Sequence, residues 1–318
     1  MRDAMESLEH TAARLRTLNR PVPFGHGEEQ MRASAIEFRL RMMIQIVIVF
    51  FGFWTPWIGA WDMAGRISTL EWIPLEIGRM GVASFTAAAP MVIVLGALAA
   101  FVGAVLRVWG AAYLGYATVH HGQMQAGAVM ADGPYRYMRN PLYLGGWCMM
   151  IAVSLLMPPS GALFTVVLIG IFYLRLILGE EVFLAAQLGE PYRDYLRAVP
   201  RLIPRLRGGL PPAGNKPHWV TALFTEVFPI GTFFTLAVLS WRYDQQLMLE
   251  GLLVSFLASL VARGLMKQPI ATLAGAAAFA GAWGAFHLRW PRAILIGFGA
   301  WLIVRALVPR KEPKADAA

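Results

Sequence analysis

Residues 86–106 run for 21 positions without a charged side chain, and seven further stretches of the chain have nearly the same character. About 20 apolar residues in a helix cross the ~30 Å of hydrocarbon in a bilayer. A polypeptide built from such runs has few choices: its backbone must satisfy its own hydrogen bonds in lipid, and uninterrupted apolar segments do this as helices. Hydropathy places spans at 42–60, 86–106, 142–157, 161–178, 220–240, 247–262, 270–288 and 292–308. The expected fold class is all-α, a polytopic integral membrane helical bundle of about eight transmembrane helices. Composition agrees, with 57% hydrophobic and 15% charged residues and a mean hydropathy of +0.53. Soluble domains carry about a quarter charged residues.

The net charge of +9 is explained by cationic loops on one membrane side and needs no nucleic acid. With both termini cytoplasmic and eight spans, 21 Lys and Arg fall on the cytoplasmic side and 5 on the other, while Arg175 and Arg305 lie within helices. That bias follows the positive-inside rule. Residues 1–39 are polar and lack the early apolar core of a signal peptide. Leu8, Ala12, Leu15 and Leu18 have helical spacing, which suits either an amphipathic surface helix or a solvated tail. Cys148 is the one cysteine, which excludes an internal disulfide framework and a Cys-rich metal site. The adjacent His120 and His121 would lie 100° apart on a helix with no acidic or Cys partner nearby, so no metal is expected.

Four parts follow along the chain: a polar segment 1–40, a membrane core 41–207, a Gly/Pro-rich linker 208–218 and a four-helix membrane extension 219–318. The extension is nearly featureless chemically, and its Gly/Ala-rich third span suits tight packing. Spans 142–157 and 161–178 are joined only by Pro158, Pro159 and Ser160, a tight hairpin that returns the chain to one membrane face. Asn140, just before it, and Glu180, just after it, are therefore expected to be neighbours. Glu180 and Glu181 together, where a membrane helix emerges, call for solvent or partners. Arg136, Arg139, Arg193 or a cationic ligand would serve.

Two polar blocks flank this hairpin. The first, Asp132-Gly133-Pro134-Tyr135-Arg136-Tyr137-Met138-Arg139-Asn140-Pro141-Leu142-Tyr143-Leu144-Gly145, resembles the G-x-Y-x-x-x-R-[HN]-P-x-Y-x-G signature of the isoprenylcysteine carboxyl methyltransferase and phospholipid methyltransferase superfamily. The second is similar to the other half of that signature: Glu180-Glu181, then Leu188-Gly189-Glu190-Pro191-Tyr192-Arg193-Asp194-Tyr195, then Val199-Pro200-Arg201 and Pro204. Both stand in order across one hairpin, and the resemblance covers about residues 85–205.

The resemblance implies S-adenosylmethionine bound in a cytoplasmic pocket and a lipophilic acceptor arriving from the bilayer. It assigns cofactor contacts to His120, Val129, Met130, Tyr135, Asn140, Pro141, Leu142, Tyr143 and Glu180. Glu180 and Glu181 are the candidate catalytic carboxylates, able to order the site or to assist an amine acceptor. Elementary chemistry agrees, since aromatic faces and carboxylates both stabilise a sulfonium and an ammonium. Pro141 fixes a helix start whose early N–H groups are unpaired. Two positions depart from the pattern. Asn140 stands where eukaryotic carboxyl methyltransferases have His. The Arg that the superfamily places one turn before the Glu pair is Leu176 here. Arg175, five residues before Glu180, is the remaining candidate for an acceptor carboxylate; as an alternative it snorkels or forms an ion pair.

The partners expected are the bilayer, a lipophilic small-molecule or lipid substrate, and a second copy if the C-terminal helices oligomerise. The Ala/Arg/Gly-rich, Lys-poor chain resembles proteins of high-GC bacteria, which points to a bacterial inner membrane. Two other classes compete: an NADPH-dependent sterol- or steroid-type membrane reductase, which has a similar R-x-x-x-Y-x-G turn, and a non-catalytic membrane scaffold.

Overall fold

The computed structural model describes residues 31–55, 67–120, 131–281, 296–298, 300–302 and 304, with only the backbone for 115–120. All regular structure among the described residues is helical. In chain order the α-helices are α1 (Ala35–Arg39), α2 (Arg41–Trp54), α3 (Thr69–Arg79), α4 (Phe85–His120), α5 (Pro141–Ser154), α6 (Pro159–Leu188), α7 (Glu190–Ala198), α8 (Trp219–Thr225), α9 (Val227–Phe234), α10 (Gln245–Lys267) and α11 (Pro269–Ala280). A 3-10 turn, Gly133–Arg136, precedes α5, and a π-turn, Thr235–Leu239, extends α9.

The expected count of eight spans is not supported. Among the described residues three helices are long and apolar enough to cross a membrane: Phe85–Leu114 of α4, then α6 and α10. A fourth is reached if the bent pair Trp219–Thr225 and Val227–Arg242 counts as one span. Of the spans read at 42–60, 142–157 and 270–288, the described residues form the apolar helices α2, α5 and α11, while 56–60 and 282–288 lie outside the described residues. Most of 292–308 lies outside the described residues. Hydropathy registers apolar side chains but not where a helix stops. In α5 the stop is structural: Thr69 and Leu70 of α3 donate their N–H groups to the Met157 and Leu155 carbonyls, both at 2.8 Å. The Gln245 amide takes the Leu156 carbonyl at 2.8 Å. The orphan carbonyls of a helix end are thus satisfied from other elements, and Leu156 and Met157 are buried.

The chain divides into two compact units, Met1–Leu252 and Leu253–Ala318, with the boundary inside α10. In the first unit α4 and α5 pack backbone to backbone. A Cβ on Gly103 would stand 2.8 Å from the Gly145 carbonyl oxygen, and one on Gly145 would stand 2.8 Å from that of Gly103. Only glycine permits this approach, as small residues do between membrane helices. The core around Ile93, Ala100, Val153, Leu156, Ile169 and Leu176 is apolar. In the second unit, Gly264 lies under Thr272 and Gly275 faces the Gly297 backbone.

Candidate active site

The tight turn at Leu155–Pro158 folds α5 back along α6 and brings the two polar blocks together. Asn140 precedes α5, and its side-chain amide donates to Glu181 Oε1 at 3.4 Å and to the Arg201 carbonyl at 3.1 Å. One turn into α5, the Tyr143 hydroxyl donates to Glu180 Oε2 at 3.1 Å. The expected meeting of the hairpin's two ends is therefore present, with the pairing crossed: Asn140 reaches Glu181, and Tyr143 reaches Glu180.

The two carboxylates differ sharply in their surroundings. Glu181, 2% exposed, is held by Arg201, with Nη2 at 3.0 Å and Nε at 3.1 Å from Oε2. Arg139 Nε stands 3.4 Å from its Oε1. Glu180 has one hydrogen bond, from Tyr143, and no ion pair among the described residues. Arg41 acts on it electrostatically. Of the arginines named as possible partners, Arg136 donates to the Leu210 carbonyl at 2.9 Å and Arg193 to Glu190 at 2.7 Å.

A strap closes one side of this cluster. Residues 200–210 run along 136–140 through backbone bonds from Arg139 to Pro200, Arg205 to Tyr137 and Gly209 to Arg136. Gly133 adopts φ +54°, a conformation that favours glycine, and the Tyr113 ring occupies the place of its missing Cβ. The turn after it buries Tyr135, whose hydroxyl donates to the Gly110 carbonyl at 3.4 Å, while the Tyr195 hydroxyl donates to the Tyr135 carbonyl at 2.9 Å. Burial pushes both phenols well above their ordinary range, so both remain protonated donors.

Asp132 anchors the linker to the same turn. Its carboxylate accepts from the backbone N–H groups of Ala213 at 2.8 Å and Asn215 at 2.9 Å, and from the Asn215 side chain at 2.7 Å. Burial alone would raise its pKa; the bonds from Asn215, Ala213 and Gly214 outweigh it and hold the carboxyl below its ordinary range.

Arg175 is engaged elsewhere. Its guanidinium contacts both Glu37 oxygens at 2.9 Å, and this bonding lowers the Glu37 pKa. Pro141 and Leu142 form the first turn of α5. The backbone of His120 is the last described position of α4, while its side chain, together with Val129 and Met130, lies outside the described residues.

Sequence reading missed a second charged pair close by. Arg107 of α4 binds Glu226 through both nitrogens, Nε to Oε2 at 2.7 Å and Nη2 to Oε1 at 3.1 Å. Its Nη1 donates to the Leu142 carbonyl at 3.4 Å. The Glu226 side chain is wholly buried. It stands at the break between α8 and α9, where the chain bends by 67°. Pro229, four residues after Thr225, cannot donate to the Thr225 carbonyl, which accounts for a break there. The signal was available in the sequence as a lone acid in the apolar run 219–241.

Residues 91–190 match the family model described as phospholipid methyltransferase. No curated protein and no solved structure matches the chain. The matched segment contains most of α4, all of α5 and α6, and so the Asn140, Tyr143, Glu180 and Glu181 cluster; the linker and Glu226 fall beyond it. With helices long and apolar enough to cross a membrane, the chain has the character of an integral membrane protein whose residues 91–190 are similar to the phospholipid methyltransferase family, in keeping with the isoprenylcysteine carboxyl methyltransferase superfamily of membrane methyltransferases.

Proposed function

We propose that the protein transfers the methyl group of S-adenosylmethionine to a lipophilic acceptor at the cytoplasmic face of a bacterial inner membrane. The observation that carries this reading is the unequal commitment of two adjacent carboxylates. Glu181 is neutralised by Arg139 and Arg201 and serves as architecture. Glu180, with a single hydrogen bond, keeps acceptor capacity for a cation. A carboxylate so placed, beside tyrosines and the start of α5, fits a ligand that carries an ammonium, a sulfonium and a carboxylate. The bound cofactor supplies an electrophilic methyl group on sulfur, and the acceptor's lone pair displaces it in line.

The chain's own part is alignment and exclusion of water. Tyr143 orients Glu180, and Glu181 fixes Asn140 and the 200–210 strap around it. A carboxylate or thiolate acceptor needs no base, whereas an amine must first lose a proton, which Glu180 can take. The reductase reading needs a basic cluster for a 2′-phosphate. Arg107, Arg139, Arg175 and Arg201 are each paired with a carboxylate, which favours the methyl donor.

Calorimetry on detergent-purified protein tests the reading, with S-adenosylmethionine and NADPH as rival ligands. Saturable S-adenosylmethionine binding that is lost in Glu180→Ala and Tyr135→Ala is the expected result. Binding of NADPH in its place would transfer the protein to the reductases, and binding of neither would leave the scaffold reading.

A further inference from the structure

The buried Arg107–Glu226 pair joins a helix inside the family-matched segment to one beyond it. Glu226 lies 36 residues past the end of that segment, in the half of the chain whose sequence shows no other chemistry. Its two oxygens hold Arg107 Nε and Nη2. This bidentate geometry fixes the guanidinium plane, leaving Nη1 directed at the Leu142 carbonyl. Leu142 lies between Pro141 and Tyr143, the residue that bonds Glu180. One turn along α4 from Arg107, Gly110 lies against the Leu142 side chain and its carbonyl accepts the Tyr135 hydroxyl. The first turn of α5 is thus held on this side by a contact whose origin is Glu226.

We propose that Glu226 is a positioning residue: through Arg107 it sets the placement of the α5 first turn, and with it Tyr143 and Glu180, for binding the methyl donor. The last clause rests on the function proposed above; the positional part does not. It also gives the post-linker half a task in the site, which the matched segment by itself lacks.

A buried ion pair can equally be inert framework, and one double variant separates the two. Replacing both members of such a pair by apolar residues of similar volume is commonly neutral for stability. Arg107→Met with Glu226→Leu is therefore compared with the parent full-length protein in detergent. Three quantities are measured: the melting temperature, amide exchange across residues 140–147, and S-adenosylmethionine affinity. The expected result is an unchanged melting temperature, exchange about tenfold faster in that segment alone, and affinity weakened about tenfold. Unchanged exchange overturns the proposal, and so does faster exchange with unaltered affinity. If the double variant fails to fold, Glu226→Gln, which keeps the shape but has only one acceptor oxygen and so cannot hold Arg107 Nε and Nη2 together, is judged by the same exchange and affinity criteria. If the parent protein binds no S-adenosylmethionine, the proposed function falls, and the exchange result alone decides whether Glu226 positions α5.

Discussion

Adjacent glutamates with opposite fates predict opposite phenotypes. Glu181→Ala leaves Arg139 and Arg201 beside an empty, buried acceptor site. Removing one partner of a buried pair costs about 3–5 kcal/mol, so the variant should melt well below the parent in detergent. Glu180→Gln preserves volume and the Tyr143 contact, so its melting temperature should stay close to the parent's. Its S-adenosylmethionine affinity should drop about tenfold or more, ~1.4 kcal/mol or above, by calorimetry. Equal destabilisation in both variants would remove the distinction on which the proposed function rests. At this scale the sequence was a partial guide. Motif spacing brought out Asn140, Tyr143 and the Glu pair, because a hairpin with so short a turn leaves little freedom in where its ends meet. It could not tell which glutamate Arg139 and Arg201 would neutralise, since neighbouring helix positions differ by 100° and Arg201 comes from the separate 200–210 strap. Nor could it show that Arg175 is held by Glu37, 138 residues away.

Among the elements, the α4–α5 contact and the linker clamp each make a separate prediction. Gly103→Ala would put a methyl group against the Gly145 carbonyl, which yields only if the helices separate. An overpacking cost of about 1–3 kcal/mol is expected, seen as a lowered melting temperature. The linker clamp depends on a charge. Because the folded Asp132 carboxyl lies below its ordinary range, its contribution is complete above the unfolded value, about pH 4. It is lost as pH falls through the folded value. Limited proteolysis within residues 208–218 should therefore be slow and pH-independent near neutrality and accelerate only in acid, whereas Asp132→Asn should be cleaved faster at pH 7. Composition located the linker through its glycines and prolines. Its attachment to Asp132 was illegible, because backbone N–H donors leave no trace in a sequence. The same holds for the end of α5, which apolar side chains ran past and which donors from Thr69, Leu70 and Gln245 determine.

For the whole molecule, the all-helical membrane character was plain in the sequence, while the number of crossings was not. Windows of apolar residues cannot separate a full span from a shorter helix sealed by its neighbours, or from the bent pair at Glu226. The matched segment also does not stand by itself. A chain ending at Arg207 would lack Glu226 for Arg107 and the 213–215 backbone for Asp132. Such a truncation is expected to aggregate on detergent extraction while the full chain elutes as one species on size exclusion. A well-behaved fragment would show that these long-range bonds are dispensable.

The length of α6 carries a consequence of its own. Glu180 lies 21 residues after the helix begins at Pro159, about 32 Å along its axis, close to the ~30 Å thickness of hydrocarbon. Under the proposed function such a helix acts as a ruler that sets the Glu180 carboxylate at the headgroup level. A lipophilic acceptor could present its polar end there while its tail stays dissolved. Such a ruler is tuned to one membrane. In nanodiscs of progressively longer acyl chains the site would sink below the headgroups, and turnover of a lipid acceptor should pass through a maximum at intermediate thickness. Turnover indifferent to thickness would show that the acceptor reaches the site from water.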